Sequence, residues 1–158
     1  MIRDLKDVQL QSLHRLQEAV IAGRFYGDRI ARLRHTAQIP PAAEFAASWI
    51  DAWNAHDLPR ILTHYREDVV LYSPLIARVQ NGKKGCLTGR SAIADYWAAG
   101  LQKFPTLHFS LINVLQGVDS LMIYYRGIHQ QTTAEVFWFD EQGRVHRAAV
   151  YYPEELSL

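Results

Sequence analysis

The stretch from Thr132 to Tyr152 constrains the fold most. Two runs rich in β-branched and aromatic residues flank Asp140-Glu141-Gln142-Gly143, a polar loop ending in glycine, and the pattern reads as a β-hairpin. With Phe139 opposite Arg144, Phe137 faces His146, Glu135 faces Ala148 and Thr133 faces Val150. Alternation then collects Thr133, Glu135, Phe137, His146, Ala148, Val150 and Tyr152 on one face. A carboxylate and an imidazole lie diagonally on an otherwise apolar surface, which is either a core or the wall of a pocket.

The residues before the hairpin decide what that surface meets. Apolar positions at Leu5, Val8, Leu13, Leu16, Ala19 and Val20 recur at helical spacing, and Asp28–Arg34 continues as a second short helix, so residues 1–40 read as an amphipathic helical arm. Pro40-Pro41 ends it and opens a domain over 41–158. Phe45, Trp49, Ala52 and Trp53 then mark a helix from Ala42 to His56 with one aromatic face. Asp57 is a candidate N-cap for a short helix through Tyr65, Arg66-Glu-Asp a turn, and Val69–Pro74 a strand. Residues 75–90 read as irregular, with no GKS or GKT ending that would make Gly82-Lys-Lys-Gly85 a phosphate loop. Ser91 is the expected N-cap of a helix to Lys103 whose inner face is Ile93, Tyr96, Trp97 and Leu101. Strands follow at Thr106–Leu115 and Leu121–His129, ahead of the hairpin. Helices first and consecutive antiparallel strands last make an α+β domain with helices on one face of a curved sheet.

Composition excludes several function classes. At 158 residues with 49% hydrophobic and 21% charged residues, the chain has the profile of a single globular domain. A net charge of +1 argues against nucleic acid as a partner. The single cysteine, Cys86, allows no intrachain disulfide and no cysteine-paired zinc site. No run approaches the roughly 18 apolar residues of a spanning helix, and no signal-peptide pattern opens the chain, so no membrane partner and a cytoplasmic location are expected.

From about Glu44 to Tyr152 the sequence resembles the NTF2-like superfamily of cone-shaped α+β domains, and within it the SnoaL-like and ketosteroid-isomerase-like members. The resemblance rests on Trp53-Asn-Ala-His-Asp-Leu58, Tyr65-Arg-Glu-Asp-Val-Val-Leu-Tyr-Ser-Pro74, Thr88-Gly-Arg-Ser-Ala-Ile-Ala-Asp-Tyr-Trp97 and Phe139-Asp-Glu-Gln-Gly-Arg-Val145, in that order and spacing. It implies helices packed on a strongly curved, mostly antiparallel sheet. It also implies a largely apolar pocket for a small molecule, used without metal or organic cofactor. In ketosteroid isomerase an Asp base moves a proton while a Tyr and a protonated Asp hold the oxyanion. By position, Glu135 takes the place of the protonated acid, Ser73 that of the base and Trp49 that of the tyrosine, so steroid isomerisation itself is not expected.

These readings single out Glu135 and His146 as a candidate proton-relay pair, the carboxyl having a raised pKa on a strand whose faces both look buried; the alternatives are a structural carboxylate bonded to a tyrosine or to an arginine such as Arg126, and a hairpin-end histidine in solvent. Tyr72 or Tyr152 would donate to a substrate oxygen. Ser73, Trp49, Trp53, Trp97 and Phe137 would contact the substrate. A metal site from His129, His146 and Glu135 lacks a recognisable ligand spacing. The chemistry implied is that of a cofactor-independent isomerase, cyclase or dehydratase; the alternative is a ligand-binding or dimerising module that keeps the pocket alone. The opposite face of the hairpin carries Val136, Trp138, Arg147, Ala149 and Tyr151. That exposed aromatic surface calls for a cover, a second subunit of a homodimer or the helical arm.

Overall fold

The computed structural model describes residues 38–79 and 84–153. The expected helical arm lies outside them, apart from its last three residues. Gln38 donates its amide to the carbonyl of Asp140 at 2.9 Å, so the segment before Pro40 runs against the hairpin turn.

Helix α1 spans Ala42–Asn54 and α2 Leu58–Leu62. Strand β1 is Tyr65–Tyr72, α3 Pro74–Val79, β2 Cys86–Thr88 and α4 Arg90–Lys103. The remaining strands are β3 Ser110–Gln116, β4 Ser120–Arg126, β5 Thr132–Phe139 and β6 Val145–Tyr151, with a 3₁₀ turn at Ile128–Gln130 between β4 and β5. The six strands form one sheet in the order β2-β1-β6-β5-β4-β3. All its pairings are antiparallel except β1 with β6. Helix α1 packs against β3 and α2, while α4 packs against β1, β2 and α2.

The aromatic stripe expected on the first helix builds the core. Phe45, Trp49 and Trp53 are buried, and Trp49 stacks on Phe109 at 5.7 Å while meeting Phe137 edge-on at 5.3 Å. Each large side chain so removed from water contributes about 2–3 kcal/mol. Asp57 caps α2 as expected, its carboxylate accepting from the amide of Arg60 at 3.0 Å.

Several boundaries differ from the sequence reading, each for a local reason. The strand expected from Val69 starts at Tyr65, because Arg66 pairs with Asp68 along an extended backbone rather than across a turn. The irregular region 75–90 contains α3 and β2. Gly89, not Ser91, stands at the N-cap of α4: its φ of 93° suits glycine, and its amide is held by the carbonyl of Val69 at 2.8 Å. The strand expected from Thr106 starts at Ser110, after Asn54 has clamped the backbone of Phe109. That expected to reach His129 stops at Arg126.

The hairpin turn is where the sequence put it. Asp140 accepts the amides of Gln142 and Arg144 at 2.9 Å each, and Gly143 has a φ of 74°. The register is corrected. Phe139 pairs with Val145, and a bulge makes Trp138 pair with Arg147, leaving His146 between them as the extra residue. Glu135 therefore pairs with Val150 and Phe137 with Ala148. The slip totals two residues, so Ala148 and Val150 keep the expected face while His146 loses its place.

Candidate functional site

A cavity of about 470 Å³ opens between the sheet and helices α3 and α4. Its inner wall comes from inward-facing residues of four strands. Leu71 of β1, Tyr125 of β4, Glu135 of β5 and Val150 of β6 point into it, joined by Ser73 and Tyr152 just beyond the ends of β1 and β6. The intervening Tyr72, Tyr124 and Tyr151 turn outward and are exposed. Helix α4 supplies Tyr96, Trp97, Gly100 and Lys103, positions one turn apart along one stripe, and α3 supplies Leu75, Arg78 and Val79 in the same way. Trp53 and Phe109 close the back.

Glu135 is the carboxylate among the lining residues and is 4% exposed. Its partner is the Tyr125 hydroxyl, which donates to Oε2 at a long 3.4 Å. No cation among the described residues forms an ion pair with it. Burial without a countercharge penalises the ionised form, and the Tyr125 bond offsets only part of the penalty. The pKa is pushed up from 4.5 to about 8.

Four hydroxyls, those of Ser73, Tyr96, Tyr125 and Tyr152, line the cavity with this acid. Burial raises the pKa of Tyr96 and of Tyr152, the charge of Glu135 adds to the rise, and the nearby Ser73 hydroxyl works against it in both. Ser73 is itself 4% exposed, and its hydroxyl accepts the amide of Leu75 at 3.2 Å. Tyr125 is likewise pushed well above the ordinary phenol range, first by burial and then by Glu135. All three phenols stay protonated and available as donors at neutral pH.

The expected site residues thus divide. Glu135, Ser73, Trp53, Trp97 and Tyr152 come together around the cavity. Trp49 does not line it; its indole donates to the Tyr65 hydroxyl at 2.9 Å within the core. Phe137 is fully buried between Phe45, Trp49 and Tyr65 rather than facing the cavity. Tyr72 points to the other side of the sheet, where the Arg147 guanidinium lies over its ring at 5.1 Å and over Trp138 at 4.7 Å. That guanidinium covers part of the aromatic face for which a partner was expected.

His146, exposed in the bulge, is not among the lining residues and sits where its charge is felt by Asp68. The expected relay between Glu135 and His146 is replaced by the diagonal contact of Glu135 with Tyr125. The 3₁₀ turn places His129 edge-on to Phe104, and no cluster of three His, Cys, Asp or Glu side chains suited to a metal occurs among the described residues.

Tyr125, Tyr96, Arg78 and Lys103 were not singled out for the site from sequence. A signal for Tyr125 existed: Leu121, Ile123 and Tyr125 alternate toward the buried face of β4. Arg78 could not be placed, because α3 itself was not foreseen.

The chain's relatives fit this geometry. A family model for the SnoaL-like domain matches residues 46–148. A SnoaL-like protein of unknown function from Burkholderia thailandensis is 43% identical, over 71% of this chain and 94% of that one, with a TM-score of 0.69. A putative isomerase of the SnoaL-like family from Agrobacterium tumefaciens is 20% identical, over 71% and 97% of the two chains, with a TM-score of 0.58. The epoxide hydrolase/cyclase-like enzyme SalBIII, from pyran ring formation in the polyether salinomycin, is 14% identical over 72% and 91%, with a TM-score of 0.57. A search of curated proteins gives no match. The model match over most of the chain and the 43% identical relative make one assignment: the chain belongs to the SnoaL-like family of the NTF2-like superfamily.

Proposed function

We propose that the protein binds a small, mostly apolar cyclic molecule in this cavity and moves a proton on it, as a cofactor-independent isomerase, cyclase or dehydratase. What supports the reading is the placement of Glu135, a buried carboxyl with no ion-pair partner among the described residues, at the inner end of an open cavity. With a pKa of about 8 it is mostly protonated at neutral pH, yet its ionised form is only about 1.4 kcal/mol away. A group poised in this way both takes and gives a proton near its own pKa. Ionised Glu135 removes a proton from the carbon beside a carbonyl. The oxygen, as its charge develops, is held by the hydroxyls of Tyr96, Tyr152 and Ser73, and the protonated carboxyl then returns a proton to the substrate. The isomerase and cyclase-like chemistry attached to the structural relatives is consistent with that use of the fold.

Proton exchange tests this directly. The α-protons of 2-tetralone in deuterium oxide, followed by NMR, should exchange faster with the wild type than with Glu135→Gln. The enzyme-dependent rate should rise about tenfold per pH unit up to about pH 8 and then level, because the base is the ionised form. Equal rates for the two proteins would sink proton transfer. Ligand-induced stabilisation without exchange would point to the alternative, a binding module of the same fold.

A further inference from the structure

The rim of the cavity differs in charge from its interior. Arg78 and Lys103 stand in the last turns of α3 and α4, both are exposed, and both line the opening. No carboxylate among the described residues is within ion-pairing distance of either. Lys103 is held near the opening by the Phe104 ring, 5.2 Å from its Nζ. Tyr96, Gly100 and Lys103 follow one helical stripe, so the Cα of Lys103 lies roughly 10 Å along the axis from that of Tyr96. Between the two ends the wall is apolar or aromatic, with Trp97, Phe109, Leu107 and Val150. Gly100 leaves that wall open, since a Cβ built there would meet nothing within 4 Å.

We propose that the cavity takes an amphipathic carboxylate: a ligand whose flat apolar body lies along Trp97, Phe109 and Val150 and whose carboxylate emerges at the rim between Arg78 and Lys103. The proposal rests on the small-molecule reading of the cavity and specifies its substrate class. A guanidinium presents parallel N–H donors that match a carboxylate, and an ammonium lining the same cavity adds a second positive charge. At the far end Glu135, kept protonated by burial, sets no opposing charge against an anion at neutral pH. The polarity also fixes direction. The carboxylate faces solvent, and the opposite end of the ligand meets Ser73, Tyr152 and Glu135.

The test uses 2-naphthoate and its neutral counterpart 2-naphthalenemethanol, titrated calorimetrically into the full chain at pH 7 and low salt. The carboxylate should bind about two- to thirty-fold more tightly, the range two solvent-exposed charge contacts supply. The double variant Arg78→Gln, Lys103→Gln should bring naphthoate down to the affinity of the alcohol, and added salt should narrow the gap in the wild type. Titrating the alcohol into the double variant shows that its cavity is intact. Equal affinity of the two probes for the wild type, or a gap that survives the double substitution, overturns the carboxylate proposal and leaves the apolar pocket standing. Failure of both probes to bind at millimolar concentration overturns both.

Discussion

Glu135→Gln should change the pH dependence of stability in a way that only a buried, uncompensated carboxyl can produce. In the unfolded chain Glu135 ionises near 4.5, and in the folded protein near 8. A folded-state pKa raised in this way makes stability greatest below pH 4.5, because both states then hold the proton. Between 4.5 and 8 the unfolded state has released it and the folded state has not, so wild-type stability falls by about 1.4 kcal/mol per pH unit. The loss reaches about 3 kcal/mol by pH 7 and about 4 kcal/mol by pH 8, where the folded state is half ionised, and levels off at about 5 kcal/mol at higher pH. Glutamine keeps the shape and can still accept from the Tyr125 hydroxyl, but it has no proton to lose. Urea unfolding of both proteins from pH 5 to 9 should therefore give curves that diverge steadily up to about pH 8, with the variant the more stable at the alkaline end. Subtracting the two cancels every other titrating group. Curves that stay parallel within about 0.5 kcal/mol would refute the reasoning, since Glu135 would then ionise as freely folded as unfolded.

Asn54 both donates to the carbonyl of Phe109 at 2.9 Å and accepts its amide at 2.7 Å, so Asn54→Ala should cost about 2–3 kcal/mol in chemical unfolding. Weaker binding of cavity ligands should accompany the loss, because Phe109 is part of the wall. Gly100→Ala should raise stability by about 0.5–1 kcal/mol, since the glycine is interior to a helix and its added methyl meets no atom; a lower thermal midpoint would contradict that. On the outer face of the sheet, the exposed Tyr72, Tyr124 and Tyr151 support pairing with a second copy of the chain, and light scattering that returned a monomer at micromolar protein would rule it out.

The elements legible in the sequence are those whose signal is local and repeated. The aromatic stripe of α1, the cap at Asp57 and the turn at Asp140–Gly143 are each fixed by neighbours within four residues. The face of Glu135 was also legible, because alternation along β5 is unbroken. What misled was one bulge. A bulge adds a residue without any mark in composition, and in this hairpin it removed His146 from the face to which strict alternation assigned it. The cavity residue Tyr96 lay on a helix face that periodicity put inward, whereas no face was assigned to Tyr125. Telling a cavity from a filled core, however, depends on how α4 sits over the sheet, a distance between elements far apart in sequence. Trp49 shows the same limit in reverse: its buried position was readable, but its indole proved to be committed to Tyr65 rather than to a ligand.

The parallel pairing of β1 with β6 bears on when the site comes into being. The meander from β3 to β6 joins strands that are neighbours in sequence, so it can assemble early, with Glu135 and Tyr125 already side by side but open to water. Leu71 meets Ala148 only when distant parts of the domain close on each other, a long-range contact that costs loop entropy. That closure brings Leu71 and Ser73 up to Val150 and Tyr152, and it removes Glu135 from water. The raised affinity of this acid for a proton therefore belongs to the closed sheet, in which the pairing of β1 with β6 has shut it off from water.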